Sequence, residues 1–357
     1  MSFFLLIFQH CFGVCCHNTT LPCTVKESLK EMIQGLHHIT TVAGSAQGNL
    51  DFYTGVLGLD LVKRTVHFNN PNVYHLYYGN QTGSPGSLLS FFLLPAVLRG
   101  RRGARQVNEV GLAVPQDSLG NWLDRLETYR ISHHPVAEKF GEPYLTLYDP
   151  DGLKLELTAV STSAVPDNET RPEINGLHQV TIATNHLQAT ADTLTDILGY
   201  QLLGQEGDRY RFITPGSSGA NIIDLLDAQD EAAGQKGRGV VHHIVFQVGN
   251  NEALLAYHQT ISALGWEVGA KFDRPYFNSF YFREPGGMLF GIATDQPGFT
   301  VDEPLERLGK KLLLPPEFED RRFAIQQHLP QLNVHRGGSS WFFSKDFPAD
   351  CLKQDNW

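Results

Sequence analysis

The chain has 357 residues, 41% hydrophobic and 18% charged, with a formal net charge of −10. That length supports two domains with full cores, and the acidic balance argues against nucleic acid as a partner. The five cysteines stand at positions 11, 15, 16, 23 and 351, so the stretch from Gly35 to Leu329 has no disulfide framework and fits a reducing, cytoplasmic setting.

Residues 1–33 read as a leader outside the fold. The apolar run Phe3 to Phe8 is too short to span a bilayer, and the segment lacks the positive start and small-residue cleavage site of a signal peptide. No membrane association is expected. His10, Cys11, Cys15, Cys16, His17 and Cys23 are read as part of that leader rather than as a metal cluster.

From Gly35 onward the chain repeats itself. "GLHHITTVA" (Gly35 to Ala43) recurs as "GLHQVTIAT" (Gly176 to Thr184), and "VNEVGLAVP" (Val107 to Pro115) resembles "VHHIVFQVG" (Val241 to Gly249). Each is a strand rich in β-branched residues. Each precedes a stretch with helical apolar spacing, at Gly48–Leu57, Leu119–Tyr129, Leu187–Leu198 and Glu252–Leu264. Shorter strands and turns follow. The unit is βαβββ, used four times, and the fold class is α+β. The pattern predicts an N-terminal domain over 34–160 and a C-terminal domain over 176–296, each of two modules with open, curved, mixed sheets. A Ser/Thr/Pro/Asn-rich linker at 161–175 separates them. An extension (297–332) and a tail (333–357) follow.

His37-His38 and His242-His243 hold the same place in the first strands of modules one and four. A lone strand histidine is ordinarily a packed residue, but a pair repeated at equivalent positions points to a metal. Because side chains alternate along a strand, the two rings of a pair are expected on opposite faces, with at most one of them facing the cleft. A third ligand for a two-histidine, one-carboxylate site belongs on a last strand. Aligning "DGLKLELTA" (Asp151 to Ala159) with "GGMLFGIAT" (Gly286 to Thr294) sets Glu156 opposite Gly291. The position that holds a carboxylate in one module is therefore bare in the other. Glu284 and Asp224 are the nearest substitutes by sequence, and neither stands on that strand position. In modules two and three, Glu109, Gln179 and Glu156 align with His243, His38 and Gly291, so they are expected to converge on a vacated counterpart filled by hydrogen bonds.

The order "GLHHIT", "DFYTGVLGLDLVKRTV", "YHLYYG", "HHIVFQV", "YFREPGG" and "PGFTVDE" resembles the ring-cleaving dioxygenases of the vicinal-oxygen-chelate (glyoxalase) superfamily. It is most similar to the hydroquinone-specific branch, from about Gln34 to Leu332. The resemblance implies Fe(II), with Mn(II) as an alternative, held by His38 and His243, with the third ligand position falling on Gly291. It also implies catalytic roles for His37, His242, Arg274 and Tyr281, and a small aromatic diol and O2 as substrates; a homo-oligomer is compatible with it. With Gly291 in place, impaired activity is expected. The competing classes are a catalytically inactive aromatic-binding relative and a glyoxalase-type metal lyase.

Overall fold

A computed structural model gives the fold and describes residues 32–161, 173–215, 219–270, 272–273 and 275–334. The leader before Met32, most of the linker, the tail beyond Val334 and Arg274 lie outside the described residues.

Four modules follow one another. The first holds β1 (Ile33–Ala43), β2 (Asp60–His67), β3 (Asn70–Gly79) and β4 (Leu88–Leu93). The second holds β5 (Gln106–Pro115), β6 (Ala137–Lys139), β7 (Glu142–Tyr148) and β8 (Lys154–Val160). The third holds β9 (Gly176–Thr184), β10 (Gln201–Glu206), β11 (Arg209–Ile213) and β12 (Ile222–Asp227). The fourth holds β13 (Val240–Val248), β14 (Glu267–Val268), β15 (Phe272–Asp273), β16 (Phe277–Arg283) and β17 (Leu289–Pro297).

Each module carries its helix after the first strand, near the expected positions. The helix Asn251–Ala263 starts where the Asn250 side chain accepts a hydrogen bond from the Ala253 amide at 2.9 Å. Leu119–Thr128 buries Trp122 and Leu126. The other two differ from a regular helix. Ala46–Leu50 and Leu187–Asp192 each continue as a wider π-helical turn, Asp51–Val56 and Thr193–Ile197. Threonine hydroxyls bond back into the preceding turn there, Thr54 to the Leu50 carbonyl at 2.7 Å and Thr193 to that of Ala189 at 3.0 Å.

The strands assemble into two sheets, and each sheet takes one module from each half of the chain. The first runs β14-β16-β17-β13-β1-β4-β3-β2, with β15 paired to β16. The second runs β10-β11-β12-β9-β5-β8-β7-β6. In both, two antiparallel first strands lie at the centre, β1 with β13 and β5 with β9, and each is flanked by a parallel last strand of its own module. Module one therefore shares a sheet with module four, and module two with module three.

Alternation along the strands divides their residues between two faces. Ile39, Phe91, Ile244 and Phe290 in the first sheet, and Leu155, Leu157, Val180 and Ile182 in the second, join one continuous buried core with the helices. The opposite faces curl around two clefts. The extension after β17 returns to the first sheet, where the Leu313 amide donates to the Arg64 carbonyl at 3.0 Å and Ile325 and Leu329 enter the core. Among the described residues no helix is long and apolar enough to cross a membrane.

Candidate functional site

The first cleft is built around two β-bulges. Pairing of β1 with β13 steps from Leu36–Phe246 to His38–Val245, and from Thr40–His243 to Thr41–Val241. His37 is the extra residue of one step and His242 of the other. A bulge breaks strict alternation and re-aims a side chain. The two rings of each pair consequently meet instead of pointing to opposite faces, which corrects the expectation drawn from a regular strand. Nδ1 of His37 lies 2.8 Å from Nδ1 of His38, and Nδ1 of His242 lies 2.7 Å from Nδ1 of His243. The rings of His38 and His243 then stand 6.0 Å apart, centroid to centroid, at 80°.

These imidazoles are held neutral. Burial, then the neighbouring His37, His243 and His75, keep His38 well below the ordinary histidine value. Burial and His242 do the same for His243. His37 is pushed down to about 4 by burial, against a hydrogen bond with the Thr294 backbone. His242 sits at the solvent edge of the strand and is lowered by burial, Lys236 and His67.

A neutral imidazole whose Nδ1 proton is donated to a neighbour keeps a lone pair at Nε2, the form that binds a metal. Nε2 of His243 is buried and has no hydrogen-bond partner. Leaving a buried polar atom unpaired is unfavourable, so this nitrogen fits a coordinating role. The donor set stops at two, however. Among the described residues no three His, Cys, Asp or Glu side chains come together closely enough to hold an ion.

Gly291 lies on the cleft face of β17, paired with Val245 on one side and Tyr281 on the other. The space above it is filled. A Cβ at 291 would stand 2.9 Å from both Cδ1 and Cε1 of Tyr281 and 3.0 Å from a Val245 methyl. The Tyr281 ring, in turn, packs edge-on to His243 at 4.9 Å. Neither substitute carboxylate reaches the site. Glu284 accepts from the Gly286 and Met288 amides at 2.7 and 2.8 Å in the turn before β17. Asp224 belongs to the second sheet, bound to Arg211 at 2.8 Å. The side chain of Arg274 lies outside the described residues.

Around the histidines the cleft is aromatic. Phe277 touches His37 and His38 at 5.0 and 5.1 Å. Val245, Tyr77, Tyr276, Ala293 and Phe299 continue the same apolar surface. Three polar residues missed from sequence complete it. Thr40 and Ser90 share a hydrogen bond at 2.8 Å, and His75 reaches Ser90 at 3.1 Å, all buried. The alternation of "YHLYYG" puts His75 on the face of Tyr77, a signal that was available.

The second cleft repeats the first in backbone and inverts it in chemistry. Pairing of β5 with β9 steps at Asn108 and near His178, the counterparts of His242 and His37. Glu109, Gln179 and Glu156 do converge. Gln179 donates to Glu156 at 3.0 Å. Lys139 bonds Glu156 and lies 3.7 Å from Glu109, Lys154 holds Glu109 at 2.7 Å and Arg209 holds it at 3.1 Å. The expected filling is present, and it consists of ion pairs more than neutral hydrogen bonds.

The sequence matches the model of the Glyoxalase/Bleomycin resistance protein/Dioxygenase superfamily over residues 35–157 and 176–292. MhqO of Bacillus subtilis (strain 168), which bears the name of a ring-cleaving dioxygenase, is 41% identical over 84% of this chain and 97% of its own length. The chlorohydroquinone/hydroquinone 1,2-dioxygenase of Sphingobium indicum is 33% identical over 82% of this chain and 94% of its own. The crystal structure of a Bacillus subtilis protein that bears the name of a dioxygenase superposes with a TM-score of 0.81 at 39% identity, covering 85% of this chain and 99% of that one. Glyoxalase I from Zea mays, at 14% identity and a TM-score of 0.59 over 79% of this chain and 99% of that one, shares the fold.

Proposed function

The chain belongs to the Glyoxalase/Bleomycin resistance protein/Dioxygenase superfamily, and from that premise we propose that it is a ring-cleaving dioxygenase of hydroquinone-type diols with an incomplete iron site. The observation that carries this reading is the buried, neutral pair His38 and His243 with an unpartnered Nε2, set in an aromatic cleft. The named relatives at 33–41% identity supply the reaction class.

His38 and His243 would hold Fe(II), or Mn(II), which when bound links the electrons of the ring to those of O2. The chain's own residues do the rest. His37 and His242 fix the imidazole orientations through their Nδ1 contacts. Phe277, Tyr77 and Phe299 exclude water and offer faces for a planar ring. A diol gives up a proton on binding and its ring oxygen must later accept one. Tyr281, beside His243, and His242, at the solvent edge, are the groups in reach to move those protons. Arg274 would stabilise the phenolate oxygen.

Gly291 supports a second reading, an aromatic-binding relative with little turnover. The two are separated by Fe(II) affinity and hydroquinone-dependent O2 uptake in the unaltered chain and in Gly291→Glu. The expected result is weak binding and slow uptake that glutamate improves. The gain requires Tyr281 to swing aside, because the carboxylate stem and the ring claim the same space. Full-rate uptake by the glycine form would remove the idea of an empty ligand position; no uptake by either form would favour the binding protein.

A further inference from the structure

Lys63 is a buried charge that the proposed chemistry does not use. It stands on β2, and its side chain is fully buried. Nζ binds Asp302 at 2.7 Å and Glu303 at 2.6 Å, donates to the Phe299 carbonyl at 3.3 Å, and lies 4.7 Å over the Tyr276 ring. Tyr276 donates its hydroxyl to the other Asp302 oxygen at 2.9 Å. Glu303, almost as buried, also accepts from the Gly309 amide at 3.4 Å. One cation thus ties together two carboxylates, a carbonyl and a ring, all from beyond Asp273.

The segment so tied supplies a wall of the first cleft. Phe299 and Leu308 belong to the same apolar cluster as Val245, Ala293 and Phe277. The Phe299 ring contacts Tyr77 at 5.2 Å and Tyr276 at 5.0 Å. It also seats on Gly83, where a Cβ would come within 2.7 Å and φ is +63°. A charge of this kind is costly to bury unless fully paired, and here its partners are the residues that flank the wall.

We propose that Lys63 is a positioning residue that fixes Phe299–Leu308 as the ring-binding wall of the cleft. The inference rests on the aromatic-diol reading for the nature of the ligand, but not for the positioning itself.

The test uses the full chain, amide exchange across it, and calorimetry with hydroquinone as the probe. Lys63→Met should speed exchange at residues 299–309 by about 10-fold or more while the amides of β1 and β13 keep their protection. It should weaken hydroquinone by about 10-fold, the scale of one lost apolar contact. Lys63→Arg should recover most of both. Phe299→Ala should weaken hydroquinone to a similar degree without altering exchange at 303–309. Should Lys63→Met fail to fold, Glu303→Gln, which keeps the Asp302 pair, should give the same local pattern at smaller size. Unchanged exchange at 299–309, or an increase spread evenly over the first sheet, overturns the proposal. If hydroquinone does not bind the unaltered protein, the diol reading falls while the exchange result still decides the role of Lys63.

Discussion

The two clefts share one backbone plan and hold opposite interiors. In each, a bulged pair of first strands faces a parallel last strand, and in each a glycine lies under a neighbour's side chain. In the second sheet that glycine is Gly111, paired with Glu156. A Cβ there would meet Gln179 at 2.2 Å, so its absence lets Gln179 lie across and bond Glu156. In the first sheet the equivalent of Gly111 is Val245, and the glycine has moved one strand over, to Gly291 under Tyr281. One arrangement keeps the carboxylate and seals it with lysines. The other keeps the histidines and leaves a nitrogen without a partner. Closure differs as well. The second sheet meets itself where the Phe140 amide donates to Glu206 at 2.9 Å and Arg211 covers the Phe140 ring, whereas the first is walled by the extension. A shared fold therefore dictates where side chains converge, and the residues at a few positions decide whether that point is a stability element or a site.

The strongest way to break this comparison is to remove one charge from the second cleft. Lys139→Met leaves Glu156 and Glu109 buried with reduced compensation. Removing one member of a buried pair typically destabilises by about 3–5 kcal/mol, which urea unfolding would register as a lower midpoint at an unchanged slope. Fe(II) affinity should not move. His243→Ala should do the reverse, with a loss of Fe(II) affinity beyond the roughly 100-fold seen for outer partners and a smaller change in stability. Equal destabilisation by the two substitutions would dissolve the distinction between sealed and open clefts.

Acid separates the clefts next. His37 is held near 4, against an ordinary 6.5, by burial. The unfolded chain takes up that proton first as pH falls. Its contribution to stability is full above about 6.5 and is lost as pH falls toward 4. Glu109 is held at about 2: burial would raise it, but Lys154, Arg209 and Lys139 outweigh burial. An unfolded glutamate protonates near 4.5, so this contribution is intact above 4.5 and lost on the way down to 2. Shifts of this size correspond to about 3 kcal/mol each. Amide exchange, corrected for its intrinsic pH dependence, should loosen β1 and β13 near pH 5 and β5 and β9 only below about 4. The opposite order would mean that the histidine cleft is not the less acid-tolerant of the two.

Much of this was legible before any coordinates. Four βαβββ units follow from strand-like repeats at matching intervals, and internal alignment makes Glu156 the counterpart of Gly291, an equivalence the registers reproduce, since Glu156 lies beside Gly111 and Gly291 beside Val245, the counterpart of Gly111. The ring contacts within each histidine pair were not legible, because an inserted residue has no sequence mark when both of its neighbours are apolar or aromatic. The lysine plug escaped for a different reason. Lys139 sits on a three-residue strand and Lys154 at the start of another, where a charged residue ordinarily reads as solvated. Lys63 is hidden for the same reason: "DLVKRTV" sets a lysine on a strand with no local carboxylate on its face, and its carboxylate partners lie more than 200 residues later. Local pattern reports which face a side chain takes. It cannot report what the rest of the chain lays over that face.

The smallest effect tests the paired glycines themselves. Gly291→Ala adds one methyl at a backbone position that an L residue can adopt, and replacing glycine in a strand favours folding by about 0.5–1 kcal/mol. The methyl meets Cδ1 and Cε1 along one edge of the Tyr281 ring at 2.9 Å, and overpacking of this kind typically costs about 1–3 kcal/mol. The balance is a net loss of about 1 kcal/mol. It arises chiefly from the ring, with the Val245 methyl at 3.0 Å as a second tight contact, so it should shrink markedly in a Tyr281→Ala background. Gly111→Ala lacks that escape. Its methyl displaces the Gln179 amide and with it the hydrogen bond to Glu156, so the loss should persist whatever stands at Thr146, the strand neighbour equivalent to Tyr281. A double-mutant cycle by thermal or urea unfolding measures both couplings. Strong coupling at 291–281 with none at 111–146 would establish that the two glycines serve different neighbours. Equal coupling at both would show that the strands, and not the side chains laid over them, set the difference between the clefts.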